Sequence, residues 1–186
     1  MKIMLTGHQG FIGSALHSRL LKAGHKVHGI DIVANGLDNL LYCDFPADDF
    51  DLVIHLAGKS GVRESLSDPA AYWNNNVEAS RRLFDRYEGT RILYASSSSA
   101  YEPDLNPYAA SKYCLEELAE RYTNTLGMRF HTVYSDNCPR ENMFFNKLRN
   151  GTLEYTTRHY RDFIHLEDIL DAIEILIQKE HVNGTI

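Results

Sequence analysis

The sequence predicts an α/β protein: a doubly wound parallel sheet with helices on both faces and a small, abbreviated segment at its C-terminal edge. Three observations predict it. Short β-like runs alternate with helical patterns along the chain. Several of those runs are almost continuously apolar, as strands buried on both faces are. Three glycines, Gly7, Gly10 and Gly13, mark the first strand-to-helix junction.

Residues 2–7 (KIMLTG) read as the first strand, ending in glycine. Residues 11–24 carry Phe11, Ile12, Ala15, Leu16, Leu20 and Leu21 at helical spacing, with Gly24 as the stop. Residues 25–31 form a second strand, 39–45 a third and 51–58 a fourth. A helix over 71–89 ends at Gly89, and a fifth strand follows over 90–98. Residues 106–127 read as a helix with Asn106 as N-cap, Pro107 at its first position and Gly127 as its stop. A sixth strand covers 128–135. Beyond it come a short helix near 142–150, a strand over 153–157 and a helix over 166–180. This divides the chain into 1–140, the alternating strand and helix unit, and 141–186, a small segment packed at the C-terminal edge of the same unit, where ligands of open α/β folds bind.

The spacing of the three glycines is GxxGxxG, in the stretch GHQGFIG. Glycine allows a tight turn and lets a pyrophosphate approach the amides of Phe11, Ile12 and Gly13 at a helix N-terminus. Any tight strand-to-helix turn favours glycine too, so position matters. The loop is the first of its kind in the chain, and Asp31 follows Gly13 by 18 residues, at the end of the second strand. A carboxylate there holds the ribose hydroxyls of NAD. The residues after Asp31, IVANG, contain no Lys or Arg for a 2′-phosphate, which favours NAD over NADP. Asp44 and Phe45 either flank the adenine or simply end a strand. Leu56, Ala57 and Gly58 end the fourth strand with small residues, as a dinucleotide passing close to the backbone requires. His55 reads as a packed strand residue.

Tyr108 and Lys112 lie one helical turn apart on one face. A tyrosine of ordinary pKa, about 10, is a poor base at neutral pH. A neighbouring ammonium and an oxidised nicotinamide both favour its phenolate. Tyr108 is then placed to take a proton from a substrate hydroxyl. The serines of residues 95–101 (ASSSSAY) end the fifth strand on the same rim, where a hydroxyl can bond a developing carbonyl oxygen.

Bulk composition bounds the function. The chain has 186 residues, 44% of them hydrophobic and 24% charged, with a formal net charge of −6. No basic footprint for nucleic acid is present, and no apolar run is long enough for a membrane span or a signal peptide. Cys43, Cys114 and Cys138 are odd in number and widely spaced, which predicts reduced thiols in a cytoplasmic setting and no metal site.

GHQGFIG, Asp31, HLAG, SSSSAY and YAASK, in this order, resemble the extended short-chain dehydrogenase/reductases, the NAD-dependent sugar-nucleotide epimerases and dehydratases. HLAGKSGVRESLSDPAAYWNNNV is similar to 4-epimerases acting on UDP-sugars, and YRDFIHLEDILDAI to a later signature of the family. The resemblance implies a Rossmann-type fold, NAD as cofactor and a nucleotide sugar as substrate. It implies that Tyr108 is the base, that Lys112 supports it and holds the nicotinamide ribose, and that Ser97 completes the trio. It assigns Asn76 to supporting the cofactor site. On the substrate side it points to Arg63, Ser98, Arg140 and Arg161; Arg161 is equally an ordinary surface charge. Dehydratases of the family carry an Asp-Glu pair where Ser98 and Ser99 stand here, which argues against dehydration. The resemblance also implies a homodimer packed through helices 72–88 and 107–126.

The expected reaction is therefore epimerisation of a sugar nucleotide, with two alternatives: net reduction or oxidation of a keto-sugar, or binding of dinucleotide without catalysis. Departures from the family pattern gather on the substrate side. Ser97 and Tyr108 are only eleven residues apart, Glu102 replaces a glycine, and Thr132 replaces an asparagine. The sequence ends in HVNGTI, where the family begins another strand of its substrate half. The expectation is then either a smaller substrate or a second subunit that completes the pocket.

Overall fold

A computed structural model describes residues 1–35, 39–136, 138, 143–154, 158, 160–179 and 182–186. Among these, six parallel strands form the main sheet: β1 (Lys2–Thr6), β2 (Lys26–Ile30), β3 (Leu52–His55), β4 (Arg91–Ser97), β5 (Thr125–Phe130) and β8 (Gly184–Thr185). Their order is β2-β1-β3-β4-β5-β8. The chain moves outward from β1 to β2, then returns past β1 to β3. The carboxyl ends of β1 and β3 are therefore the switch point, where open α/β sheets bind ligands.

Both faces of the sheet are buried because its strands alternate between two apolar sets. Ile3 and Leu5 of β1, Leu52 and Ile54 of β3 and Leu93 of β4 face α1 (Phe11–Lys22) and α8 (Leu166–Ile177). Met4, Val53, Ile92 and Tyr94 face α5 (Ala79–Arg86) and α6 (Pro107–Ala119). Each such Leu or Ile is removed from water, contributing about 1.5–3 kcal/mol. Arg19 of α1 ties α8 down through Asp171 at 2.6 Å and Glu167 at 3.4 Å. Shorter α-helices among the described residues are α2 (Ile32–Asn35), α3 (Val62–Ser67), α4 (Pro69–Trp73) and α7 (Phe144–Arg149). A separate two-stranded parallel sheet joins β6 (Thr132–Tyr134) to β7 (Phe163–His165).

Four expectations are corrected. Residues 39–45 form a turn, not a strand: the Asn39 carbonyl accepts the amides of Tyr42 and Cys43, and its side chain accepts that of Leu41 at 3.0 Å. Those backbone groups are satisfied locally and cannot join a ladder. The helix expected to run to Gly127 ends at Ala119, and the chain turns at Asn124, which has φ +65°. Gly127 lies inside β5, where an added Cβ would fall 2.5 Å from the Tyr94 hydroxyl. The helix expected over 71–89 begins at Pro69, capped by Asp68, and contains a π-helical turn at Asn74–Glu78 between α4 and α5. The strand near the end of the sequence, expected to belong to the substrate half, pairs with β5 in the main sheet (Leu126 with Gly184). The strand expected over 153–157 lies partly outside the described residues; 153 and 154 are not in a strand.

Candidate active site

At the switch point a cleft of about 650 Å³ runs from the glycine loop to the end of β4. Gly7 has φ +71°, a conformation that costs glycine alone nothing. Its amide donates to the Ile30 carbonyl at 2.8 Å, and its own carbonyl accepts the Gly10 amide at 3.0 Å. A Cβ at Gly7 would lie 2.7 Å from the Ala57 nitrogen; one at Gly13 would lie 1.9 Å from the Gly7 oxygen. Both positions exclude every other residue. Helix α1 begins after Gly10 with no side-chain cap. Its first amides, at Phe11, Ile12 and Gly13, therefore present a partial positive charge to the cleft these residues line.

Asp31 closes the adjacent flank and is almost fully buried. One carboxylate oxygen accepts the Gln9 amide at 2.9 Å and the other the Val33 amide at 3.1 Å. The group thus ties the glycine loop to the end of β2 and keeps lone pairs for hydroxyl donors in the cleft. Ile32 and Val33, which follow it in the lining, carry no cation. Leu56, Ala57 and Gly58 line the cleft next to the loop. Asp44 is exposed, and Phe45 packs on Tyr87 with the Arg82 guanidinium 5.4 Å from its ring centre. Neither lines the cleft; Asn39 and Leu40 do, because the 39–45 segment is a turn.

Ser97, Tyr108 and Lys112 all line the far part of this cleft. Ser97 ends β4; its hydroxyl oxygen accepts the Ser99 amide at 3.2 Å, and its own proton is left to donate. Asn106 caps α6 by accepting the Ala109 amide at 2.9 Å, which starts the helix so that Tyr108 falls in its first turn. Tyr108 stands edge-on to Tyr72, ring centres 6.1 Å apart. Lys112 is 6% exposed, and its ammonium donates to the Ala95 carbonyl at 2.8 Å. Burial pushes its pKa down to about 8, against the opposing pull of Glu116.

Asn76, in the π turn, is buried behind the cleft and does not line it. Its oxygen accepts the Lys59 amide at 2.7 Å; its two N–H groups donate to the Lys59 carbonyl at 3.0 Å and to Ser111 Oγ at 2.9 Å. Ser111 in turn donates to the Tyr108 carbonyl at 2.8 Å. Asn76 therefore braces the exit of β3 against the first turn of α6.

His55 is a packed strand residue, and its polar partners define its state. Ser80 donates to the Asn76 carbonyl at 2.8 Å, so Nε2–H of His55 donates to Ser80 Oγ at 2.8 Å. Nδ1 is then an acceptor, receiving the Thr6 hydroxyl at 2.7 Å. The ring is neutral, and its pKa is lowered to about 3, first by burial and then by Lys112. Between pH 6.5 and about 3 the unfolded chain holds a proton at this site that the folded chain does not. Stability contributed here is present above the unfolded pKa and is lost as pH falls, by about 1.4 kcal/mol per pH unit. Urea unfolding between pH 6.5 and pH 4 is expected to show stability falling with pH, and His55→Asn to reduce that fall.

The substrate-side expectations fare differently. Arg63 on α3 and Arg161 before β7 are exposed and do not line the cleft, nor does Ser98; Arg140 lies outside the described residues. Lys59, Ser60, His131 and Thr132 line it instead. His131 sits in the break between β5 and β6, with Nδ1 3.5 Å from Asp162. Its signal in the sequence was faint, a lone polar residue following an apolar strand. Among the described residues no three His, Cys, Asp or Glu side chains come together as a metal site, and no helix is long and apolar enough to cross a membrane.

The chain matches the model of the NAD dependent epimerase/dehydratase family over residues 3–186. It is 30% identical to an uncharacterized UDP-glucose epimerase, YtcB, of Bacillus subtilis (strain 168), over 99% of this chain and 75% of that protein. It is 29% identical to protein CapI of Staphylococcus aureus, over 96% of this chain and 70% of that one. The CapI alignment extends over 234 residues, more than this chain contains, so that relative carries internal stretches with no counterpart here. Among solved structures, UDP-glucuronic acid 4-epimerase from Bacillus cereus in complex with NAD superimposes with a TM-score of 0.84 at 25% identity, covering 100% of this chain and 77% of that one.

Proposed function

The chain belongs to the NAD-dependent epimerase/dehydratase family, and from that premise we propose that it is an NAD-dependent sugar-nucleotide epimerase. The observation that carries the reading is the meeting, in one cleft, of a glycine cradle, a buried ribose-type carboxylate and a Ser97–Tyr108–Lys112 cluster.

The residues fit the dinucleotide. The space a Cβ would fill at Gly7 and Gly13 is taken up by the backbone's own close approach, which leaves the α1 amides bare for a pyrophosphate. Asp31 accepts the ribose hydroxyls and repels a 2′-phosphate. Bound NAD supplies the acceptor and donor of the hydride exchanged with the sugar carbon. The chain's own groups do the rest. Tyr108, as phenolate, takes the proton from the sugar hydroxyl at its phenolic oxygen. Ser97 donates a hydrogen bond to the oxygen as it becomes a carbonyl. The Lys112 ammonium favours the phenolate by its charge. On the return step the same tyrosine gives the proton back to the oxygen; with the hydride also returned to the sugar carbon, no net oxidation would result. Ser98 and Ser99 offer no carboxylate for removing water.

The UDP-sugar relatives support a nucleotide sugar as substrate. The same reading makes the outer faces of α4–α5 and α6, where Trp73 and Tyr113 are exposed, the surface between two copies; sedimentation velocity reads this as a dimer, and a monomer at all concentrations contradicts it. Native mass spectrometry of the purified protein tests the cofactor assignment. Bound NAD is expected, and NADP retained in preference to NAD would overturn the role given to Asp31.

A further inference from the structure

Glu116 is a buried carboxylate, 6% exposed, for which the reaction above has no use. It lies on α6 at the third step of a ladder, Tyr108, Lys112 and Glu116, each four residues from the last and so on one helix face. Arg129 of β5 holds it with a two-pronged fork: Nε donates to Oε1 at 2.9 Å and Nη2 to Oε2 at 2.6 Å. The Ser96 hydroxyl donates to the same Oε1. Ser96 and Arg129 are direct neighbours across the β4–β5 ladder, so both side chains leave the sheet on the face that α6 covers. The ring of Tyr101, from the turn that follows Ser97, lies against the guanidinium at 4.2 Å. One carboxylate thus joins the ends of two strands to the helix that carries the reacting tyrosine.

What it anchors matters. Ser96 stands between Ala95, whose carbonyl receives the Lys112 ammonium, and Ser97. Fixing Ser96 fixes both neighbours. A buried ion pair is a weak source of net stability, since apolar packing of the same volume serves as well; its advantage is registry.

We propose that Glu116, held by Arg129, is a positioning residue for the reaction: it sets the end of β4, and with it Ser97 and the Lys112 carbonyl anchor, in register with Tyr108. The inference rests on the roles given above to Ser97, Tyr108 and Lys112. The carboxylate also acts on Lys112 by charge. The groups around that ammonium are neutral His55 from β3, Tyr108 and Glu116 on its own helix, and Arg129 from β5 behind Glu116. Burial lowers the Lys112 pKa and Glu116 opposes the drop. Removing the negative charge therefore lowers it further, and the ammonium is lost at a lower pH.

Three variants test this: Ser96→Ala, Glu116→Gln and Arg129→Lys. Each is assayed for kcat and KM on a UDP-sugar across pH, and Lys112 is titrated by carbon-13 NMR of labelled lysine. Ser96→Ala removes one hydroxyl and leaves the ion pair; kcat is expected to fall about tenfold with KM within twofold and the Lys112 titration unmoved. Glu116→Gln is expected to cost more in kcat and to shift both the Lys112 titration and the high-pH limb of kcat to lower pH. Arg129→Lys keeps the charge but loses the fork, and is expected to fall between the two. A folded Glu116→Gln with parental kcat and parental Lys112 titration overturns the proposal; if that variant does not fold, parental kcat in Ser96→Ala does so. The NMR titration needs no turnover. A parent that turns over no UDP-sugar contradicts the proposed function, while a Lys112 titration that still moves in Glu116→Gln upholds the coupling of Glu116 to this site.

Discussion

Tyr108→Phe is expected to lower kcat by about a hundred- to ten-thousand-fold, the range that a positioned acid–base group supplies. NAD affinity and melting temperature are expected to stay near the parental values. The phenyl ring keeps the edge-on contact with Tyr72 and the place in the first turn of α6. Only the phenolic oxygen, to which the proposed function gives the proton transfer, is lost. The Asn76–Ser111 bridge reaches the Tyr108 carbonyl and not its ring, so the variant leaves that brace intact. A Tyr108→Phe enzyme that retained a tenth or more of parental kcat would remove the tyrosine from the chemistry. KM is expected to change little, because in the proposed role the group acts on the proton in flight more than on the bound sugar.

Gly13→Ala is expected to have the largest effect on the cofactor. The new Cβ would lie 1.9 Å from the Gly7 oxygen, 2.8 Å from the Gly7 carbonyl carbon and 3.0 Å from the His8 Cα. All three are backbone atoms and cannot rotate away. The loop must move, and with it the α1 amides and the Gln9 amide that holds Asp31. Overpacking of this kind costs about 1–3 kcal/mol of stability. NAD affinity, measured by calorimetry, is expected to fall by roughly a hundredfold or more, since the pyrophosphate and ribose contacts proposed for the loop and Asp31 would be displaced together and each is worth about 1.5–3 kcal/mol. Gly10→Ala is the control: its Cβ meets the Gly7 oxygen at 3.2 Å, close enough to require only a small adjustment. Equal affinities in the two variants would show that the close approach at Gly13 does not shape the site.

The parts legible in the sequence were those whose chemistry is local. Gly7, Gly10 and Gly13 signal a turn and a helix start within seven residues. Asp31 follows from its place at the end of β2, and the pairing of Tyr108 with Lys112 from the helical repeat. Each lines the same cleft. Errors arose where a side chain overrode a pattern. The run Leu40, Leu41, Tyr42 looks like a strand, but Asn39 turns the backbone on itself. Gly127 looks like a helix stop, but its missing side chain makes room for Tyr94 across the sheet, and Asn124 makes the turn. The polar networks were not legible at all. His55 is an isolated histidine in a strand until Thr6 and Ser80, from distant parts of the chain, give it a proton donor and an acceptor. Glu116 looks like a surface helix charge until Arg129 reaches it from β5. Substrate-side residues were hardest, because a cleft wall built from β6 and the β3 exit depends on how the chain returns, which spacing does not encode.

In the proposed reaction, hydride leaves the sugar and comes back within one active site. Counting turnovers against cofactor tests it most directly. The protein is incubated with UDP-glucose or UDP-glucuronate and less than one equivalent of NAD, the sugar is followed by proton NMR and reduced cofactor by absorbance. Many equivalents of the 4-epimer per NAD are expected, with no accumulation of NADH. Formation of one NADH for each product molecule, or no conversion by a protein that has bound NAD, would contradict it.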